Sequence, residues 1–262
     1  MSRRGFALLA VLWVLAALTA LAGASLAVAR TGGQTTRNRI LLARAEWARE
    51  ACVEILRARY ARNEAVRRLD TVSLGRGTWC RATVDDPATK LNLNLAEPDQ
   101  IRLLVAAVSR RPSLADSLLA IRRRGPIADL AQVPGIDSAL LARLAPFLTT
   151  RGTGVIDVNA ASREVLTVVP GMTEEAIGRV LGRRGLGSPL QGTDELAGPL
   201  SRSARAALYA QYPEFLRTAT FAPTQLVATV EGGVRGTPLV ARVTLTLVPL
   251  PGRLAVIRRE AE

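Results

Sequence analysis

Few residues in this chain are of types that do chemistry, and their placement limits what they can do. Asp85 and Asp86 are adjacent. Neighbours on a strand point to opposite faces, so this pair reads as the close of a turn before Pro87. Asp157 and Asn159 lie in an extended segment, where side-chain oxygens of these types can hold calcium. The favoured reading is structural: before a helix, such residues bond to local backbone. Ser113 and Ser162 stand at helix starts and read as N-caps. The chain has no histidine, and Lys90 is its only lysine, so neither serine has a base to activate it. The same absence removes His-based triads, His general bases and His metal ligands together. No phosphate-binding glycine loop of useful form is present. Cys52 and Cys80 cannot by themselves close a four-ligand zinc site. If the folded part lies outside the cytoplasm they read as a disulfide; otherwise Cys52 is a small buried residue on a helix. An enzyme is not expected.

The one functional signal with a mechanism is a turn that occurs twice. Leu130-Ala131-Gln132-Val133-Pro134-Gly135-Ile136 is similar to Leu166-Thr167-Val168-Val169-Pro170-Gly171-Met172. After each Pro-Gly a capping residue, Asp137 or Thr173, opens a new helix. Ile136 can staple to Leu141, and Met172 to Ile177, across the cap. Helix, tight Pro-Gly turn and helix resemble a helix-hairpin-helix, which in DNA-binding proteins holds a phosphate on hairpin and helix-start N–H groups. The formal net charge of +13 suits an anionic partner, nucleic acid or anionic lipid. The arginines are dispersed, however, and Asp137, Glu174 and Glu175 place carboxylates where a phosphate would sit. The hairpins at Pro134, Gly135, Pro170 and Gly171 therefore read as packing units, with no nucleic acid expected. They belong to a larger repeat. Leu91-Asn92-Leu93-Asn94-Leu95-Ala96 parallels Ile156-Asp157-Val158-Asn159-Ala160-Ala161, and Arg123-Arg124-Gly125 parallels Arg183-Arg184-Gly185.

These segments hang from an N-terminal anchor. Phe6 to Ala29 carries no charged residue and, as a helix, would roughly span a hydrocarbon core. The short leader Met1-Ser2-Arg3-Arg4-Gly5 precedes it. Three readings fit: a cleaved signal with Ala22-Gly23-Ala24 as its site, a plain signal anchor, and a pilin-like leader cut between Gly5 and Phe6 with the helix retained. Gly32-Gly33 is expected to interrupt the helix, which resumes from Arg37 to Leu69. Ile40, Leu41, Ala48, Ala51, Ile55 and Ala58 are expected on one face, with Glu46/Arg49 and Glu54/Arg57 paired on the other. Arg68 to Gly77 reads as a turn-rich link and Thr78 to Val84 as a strand. From Lys90 to about Tyr212 the pattern is helical, and in its first helix Ile101, Leu104, Val105 and Val108 share a face. Thr224 to Val234, Thr237 to Leu247 and Arg253 to Arg259 read as a β-meander, separated by Gly232-Gly233, Gly236 and Pro249-Leu250-Pro251-Gly252.

Taken in this order, the parts resemble one family over nearly the whole chain, the type II secretion minor pseudopilin K, or general secretion pathway protein K. Arg-Gly-Phe-Ala-Leu-Leu-Ala-Val-Leu-Trp-Val-Leu is similar to that family's start. Leu-Asn-Leu-Asn and Ile-Asp-Val-Asn-Ala-Ala-Ser resemble its paired Asn-x-Asn segments. Most pilins and pseudopilins carry Glu at the fifth mature position; here that position is Ala10, as in the K subunit. The resemblance implies cleavage by the prepilin peptidase between Gly5 and Phe6 and N-methylation at Phe6. It implies assembly with the minor pseudopilins I, J and H. In pseudopilins the exposed half of the long helix packs on the sheet, which would bring Cys52 against Cys80. The family's acidic stretch, of Trp-x-Asp-x-Asp character, is replaced here by Ile121-Arg122-Arg123-Arg124-Gly125-Pro126. That puts a calcium site carried over from the family in doubt, and no cofactor or metal is expected.

The expected fold is α+β, a pseudopilin with a long N-terminal membrane helix, a small antiparallel sheet and a large all-helical insert of helix-hairpin-helix-like repeats. Residues 1–5 form the leader, 6–29 the transmembrane part and 30–69 the periplasmic part of the spine. Residues 70–90 and 213–262 form the sheet domain, with 91–212 inserted as the helical domain. The expected role is a cap and initiator at the tip of the periplasmic pseudopilus, with a single pass through the bacterial inner membrane and the C-terminal domain in the periplasm. The alternative is a membrane-anchored, periplasmic helix-hairpin-helix protein of DNA uptake, a class that lacks the pilin leader and the closing meander.

Overall fold

The computed structural model describes residues 3–62, 64, 68–109, 111 and 113–261, with side chains of the first helix described from Val11 onward. The first element, α1 (Arg3–Ala61), is an unbroken helix of 59 residues. The expected interruption at Gly32-Gly33 is absent. An interior glycine costs a helix only about 1 kcal/mol, and long helical segments flank this pair on both sides. The helix also stops short of Leu69.

Two hairpins and a central strand build the main sheet. The segment expected to be a link is a strand, β1 (Arg68–Gly75), which turns through Arg76-Gly77 into β2 (Thr78–Asp85). On β2, Thr78, Cys80, Ala82 and Val84 are buried and the intervening residues are not, as the alternation implied.

Between β2 and the tail lies the helical region. It runs β3 (Leu91–Asn92), α2 (Pro98–Ser109), α3 (Ser113–Arg124), a 3-10 turn at Leu130–Gln132, α4 (Ser138–Leu144) and β4 (Leu148–Thr149). It continues with β5 (Ile156–Asp157), α5 (Arg163–Leu166), α6 (Glu174–Gly185), α7 (Thr193–Ala197), α8 (Arg202–Ala210), α9 (Tyr212–Thr218) and β6 (Ala219–Thr220). The tail supplies β7 (Leu226–Val234), β8 (Val240–Leu250) and β9 (Arg253–Ala261).

The sheet has five strands in the order β1-β2-β7-β8-β9. Arg81 faces Glu231, Trp79 lies beside Gly233, and the Arg235 N–H donates to the Gly77 carbonyl. Residue numbers fall on one strand as they rise on the other, so β2 and β7 are antiparallel. Gly232-Gly233, expected to separate strands, lies inside β7.

The chain divides into two compact units: Met1–Ile55, Leu69–Ala82 and Val230–Val243 form one, and Leu56–Arg68, Thr83–Thr229 and Thr244–Glu262 the other. In the first, Ala45, Ala48, Cys52 and Val53 are buried. That face differs from the expected one: Ile40 and Ala58 are exposed, and only Ala48 is common to both. A Cβ on Gly232 would meet the Ala45 carbonyl oxygen and the Arg49 nitrogen at 2.3 Å, so helix backbone rests directly on strand backbone there. Small residues define this contact, whereas the sequence pattern followed the bulkier ones.

The second unit has its own apolar core, in which Leu104, Leu140, Leu144, Leu166, Leu208 and Phe215 are all fully buried. Ile101, Leu104 and Val105 of α2 enter it as expected, and Val108 packs at its margin.

Candidate functional site

The side chains of Gly5, Phe6 and Ala10 lie outside the described residues. From Val11 to Val28, every large apolar side chain of α1 is more than half exposed, with Trp13 at 71% and Val28 at 71%. The hydroxyls in this stretch are turned inward onto the helix. Thr19 donates to the Leu15 and Ala16 carbonyls, Ser25 to Leu21, and Thr31 to Ala27 and Val28. Such back-bonding leaves little unsatisfied polarity on the surface. The helix is long and apolar enough to cross a membrane.

Where α1 meets the sheet, Cys52 and Cys80 come together. Both are wholly buried free thiols, close enough to shift each other's ionisation. The Cys80 side chain, then burial, pushes the Cys52 thiol well up, while the Cys52 side chain draws the Cys80 thiol down. On the other face of the sheet, buried Glu231 is gripped by Arg81 and by Arg242, whose Nε lies 2.9 Å away. Burial alone would raise this carboxyl; the two guanidiniums outweigh it and hold the group below the usual carboxylate range. Arg81 also lies over the Trp79 ring, 5.7 Å from its centroid.

The helical region is a duplication held by two equivalent clamps. Asn94 donates through Nδ2 to the Ile127 carbonyl and accepts at Oδ1 from the Ile127 N–H. Asn159 donates to the Leu190 and Phe221 carbonyls and accepts from the Leu190 N–H. Arg122 donates to the Leu93 and Ala96 carbonyls, and Arg184 to those of Val158 and Ala161. Strand β3 pairs in parallel with β4 as β5 does with β6. Sequence reading found the Asn-x-Asn pairs and treated Asn159 as a local bonding group. Its reach to Leu190 and Phe221 was missed, although the matching Asn94 was the signal for a shared role.

These clamps set the frame of the repeat, in which α3 corresponds to α6 and α4 to α8. The two Pro-Gly turns are therefore not counterparts. Pro134-Gly135 leads into α4, and the equivalent entry to α8 is Gly198-Pro199. Pro170-Gly171 leads into α6. Asp137 caps the Leu140 N–H at 2.7 Å and Ser201 caps Ala204 in the matching place. Thr173 caps the Ala176 N–H and Ser162 that of Val165, as expected, while Ser113 is the first residue of α3.

The second Pro-Gly hairpin is committed to protein contacts. The Gly171 N–H donates to Gln211 Oε1 at 2.8 Å, and a Cβ on Gly171 would lie 3.0 Å from the Leu208 backbone. Glu174 pairs with Arg163. Glu175 accepts from both the hydroxyl and the N–H of Ser201, which lowers its carboxyl. Gly135, by contrast, faces open space.

The structure also gathers residues that the sequence kept apart. Asp85, Asp86, Asp157, Ser162 and Arg184 all line one cleft of about 780 Å³. Each is engaged: Asp86 Oδ1 accepts from the Ala88 N–H, Asp157 Oδ1 from the Asn159 N–H, and Asp85 pairs with Lys90. Among the described residues, no group of three His, Cys, Asp or Glu side chains converges as a metal site.

A long apolar helix, a small antiparallel sheet and a helical insert make an α+β fold of pseudopilin type. A chain in the crystal structure of the GspK–GspI–GspJ complex from the type 2 secretion system of enterotoxigenic Escherichia coli has this fold. It matches with a TM-score of 0.58 and 14% sequence identity, over 89% of this chain and 99% of that one. No family model matches the chain, and no curated protein does.

Proposed function

We propose that this chain is a minor pseudopilin of a type II secretion system, which starts the periplasmic pseudopilus and caps its tip as a K subunit does. The observation that carries this reading is α1, an unbroken helix whose apolar half is uncovered and whose other half is seated on a sheet of pseudopilin type. An apolar helix of this kind inserts in the bacterial inner membrane and later packs against equivalent helices of other subunits. The folded part lies in the periplasm, and its partners are the minor pseudopilins I, J and H. No catalysis is assigned to it.

Ala10 sets its place in the filament. A carboxylate buried at that depth costs about 2.5–3.5 kcal/mol unless paired with a neighbour's N-terminal amine. The topmost subunit has no such neighbour above it, and alanine avoids the cost. The bulk of the duplicated insert opposes addition of a further subunit.

A DNA-binding reading loses its ligand groups at the second hairpin, where the Gly171 N–H is held by Gln211 and the Ala176 N–H by Thr173. Intact-mass analysis of membrane-extracted protein tests the class. A chain beginning at Phe6 with a methylated amine is expected, made by the prepilin peptidase. A start near Ser25 would mean an ordinary signal peptide and contradict the reading.

A further inference from the structure

In the first unit, α1 serves as a ruler. Gly232 of β7 lies against Ala45 and Arg49, and beyond β7 the loop residues Gly236 to Leu239 lie beside Gln34, Arg37, Asn38 and Leu41. The β7–β8 loop thus points back toward the apolar half of the helix. The β1–β2 turn accompanies it, because the Arg235 N–H is bonded to the Gly77 carbonyl at 2.8 Å. Arg37 stands eight residues past Ala29, about 12 Å along the axis.

This end of the unit is built without carboxylates. There is no Asp or Glu in residues 1–45, in 71–84 or in 232–259. Arg37, Arg76 and Arg235 are exposed, and among the described residues none of them makes an ion pair. Elsewhere in the same unit, Glu231 is enclosed by Arg81 and Arg242. A groove of about 430 Å³ at this end offers the Gln34, Arg37 and Asn38 donors on one wall and Pro238 and Leu239 on the other.

We infer that this membrane-facing rim seats anionic phospholipid headgroups, with Arg37, Arg76 and Arg235 as the contacting cations. The inference rests on α1 spanning the membrane. Headgroups extend about 5–8 Å beyond the hydrocarbon on each side. Long arginine side chains bridge much of the remaining gap, and the screening length is itself about 8 Å. An acidic partner protein would also suit the charge. Lipid is favoured because the rim is the end of the unit nearest the apolar half of α1, within arginine reach of the headgroups, and because a groove of donors beside apolar residues matches the boundary between headgroup and chain. The contact would steady the unit above the bilayer before it is joined by other subunits.

The test is hydrogen exchange of residues 235–239 in the full chain, reconstituted in nanodiscs of phosphatidylcholine with and without phosphatidylglycerol. Exchange should slow in the anionic discs, by about five-fold for each arginine engaged, and high salt should abolish the difference. The variant R37Q/R76Q/R235Q should lose the lipid dependence. The variant R143Q/R202Q/R217Q, which removes the same charge from exposed sites on the helical region, should keep it. Equal exchange in both lipids, with the chain inserted, would overturn the inference alone. Failure of the chain to insert would overturn the anchoring on which it rests. Protection that appears only when another pseudopilin is added, in either lipid, would make the rim a protein contact and also overturn it.

Discussion

Cys80 of β2 lies against Cys52 of α1, thiol to thiol, at the point where the long helix is seated on the sheet. No other described contact joins these elements through groups that can become covalent. In an oxidising compartment the pair is expected to form a disulfide and lock the helix to the strand, adding about 2–4 kcal/mol. Alkylation of periplasmic material without reductant, followed by mass spectrometry, should find neither cysteine modified. Alkylated Cys52 and Cys80 would show that the thiols persist and that packing alone holds the joint.

Gly232 is the position at which the helix touches strand backbone. A methyl group there meets the Ala45 and Arg49 backbone at 2.3 Å, and neither atom can swing aside. Gly232→Ala should therefore destabilise the chain by about 1–3 kcal/mol, the range of overpacked sites, and expose Cys52 to alkylation under reducing conditions. Gly178, on α6 with open space around its Cα, is the control. Gly178→Ala should be stabilising by roughly 0.5–1 kcal/mol. Equal melting temperatures for Gly232→Ala and the parent would refute close backbone packing at this site.

Glu231 makes stability depend on acid. Its carboxyl is held below the ordinary range in the folded chain, so the unfolded chain binds its proton more readily. The stabilisation it gives is present above the unfolded carboxyl pKa and disappears as pH falls through the folded one. Melting temperature should be level near neutrality on this account and drop in the acidic range. Glu231→Gln should lower it at neutral pH and flatten the acid step. Arg81 is more than half exposed, so the neutral-pH effect should be modest. A parent and variant that fall in parallel across the acid range would rule out Glu231 as a source of the dependence.

Much of this was written plainly in the residues. The uncharged run from Phe6 to Ala29 read as a helix long and apolar enough to cross a membrane, and the alternation from Thr78 to Val84 told which side of β2 is buried. Strand β1 was hidden because it is an edge strand. Leu69 is its one fully buried residue, Val72 and Leu74 are only half-buried, and the others are polar residues or glycine. Gly232-Gly233 read as a break because glycine usually interrupts a strand; here one glycine admits the helix backbone and the other underlies the Trp79 ring. The repeat was visible, but Val-Pro-Gly in both copies drew the alignment to hairpins that are not counterparts. Only the long-range bonds of Asn94 and Asn159, made across 33 and 31 residues of chain, reveal the true frame.

The central claim is that the chain stands at the top of a filament, and cross-linking from the apolar half of α1 tests it most directly. Single cysteines introduced as Leu12→Cys, Val14→Cys and Leu15→Cys lie on exposed positions that are distributed around the helix at about 100° per residue. Oxidised in membranes that also contain the other minor pseudopilins, each given a cysteine in its own apolar helix, they should join this chain to its partners on one side of the helix only. Cross-links on opposite sides, or between two copies of this chain, would place it inside the stack and contradict the account.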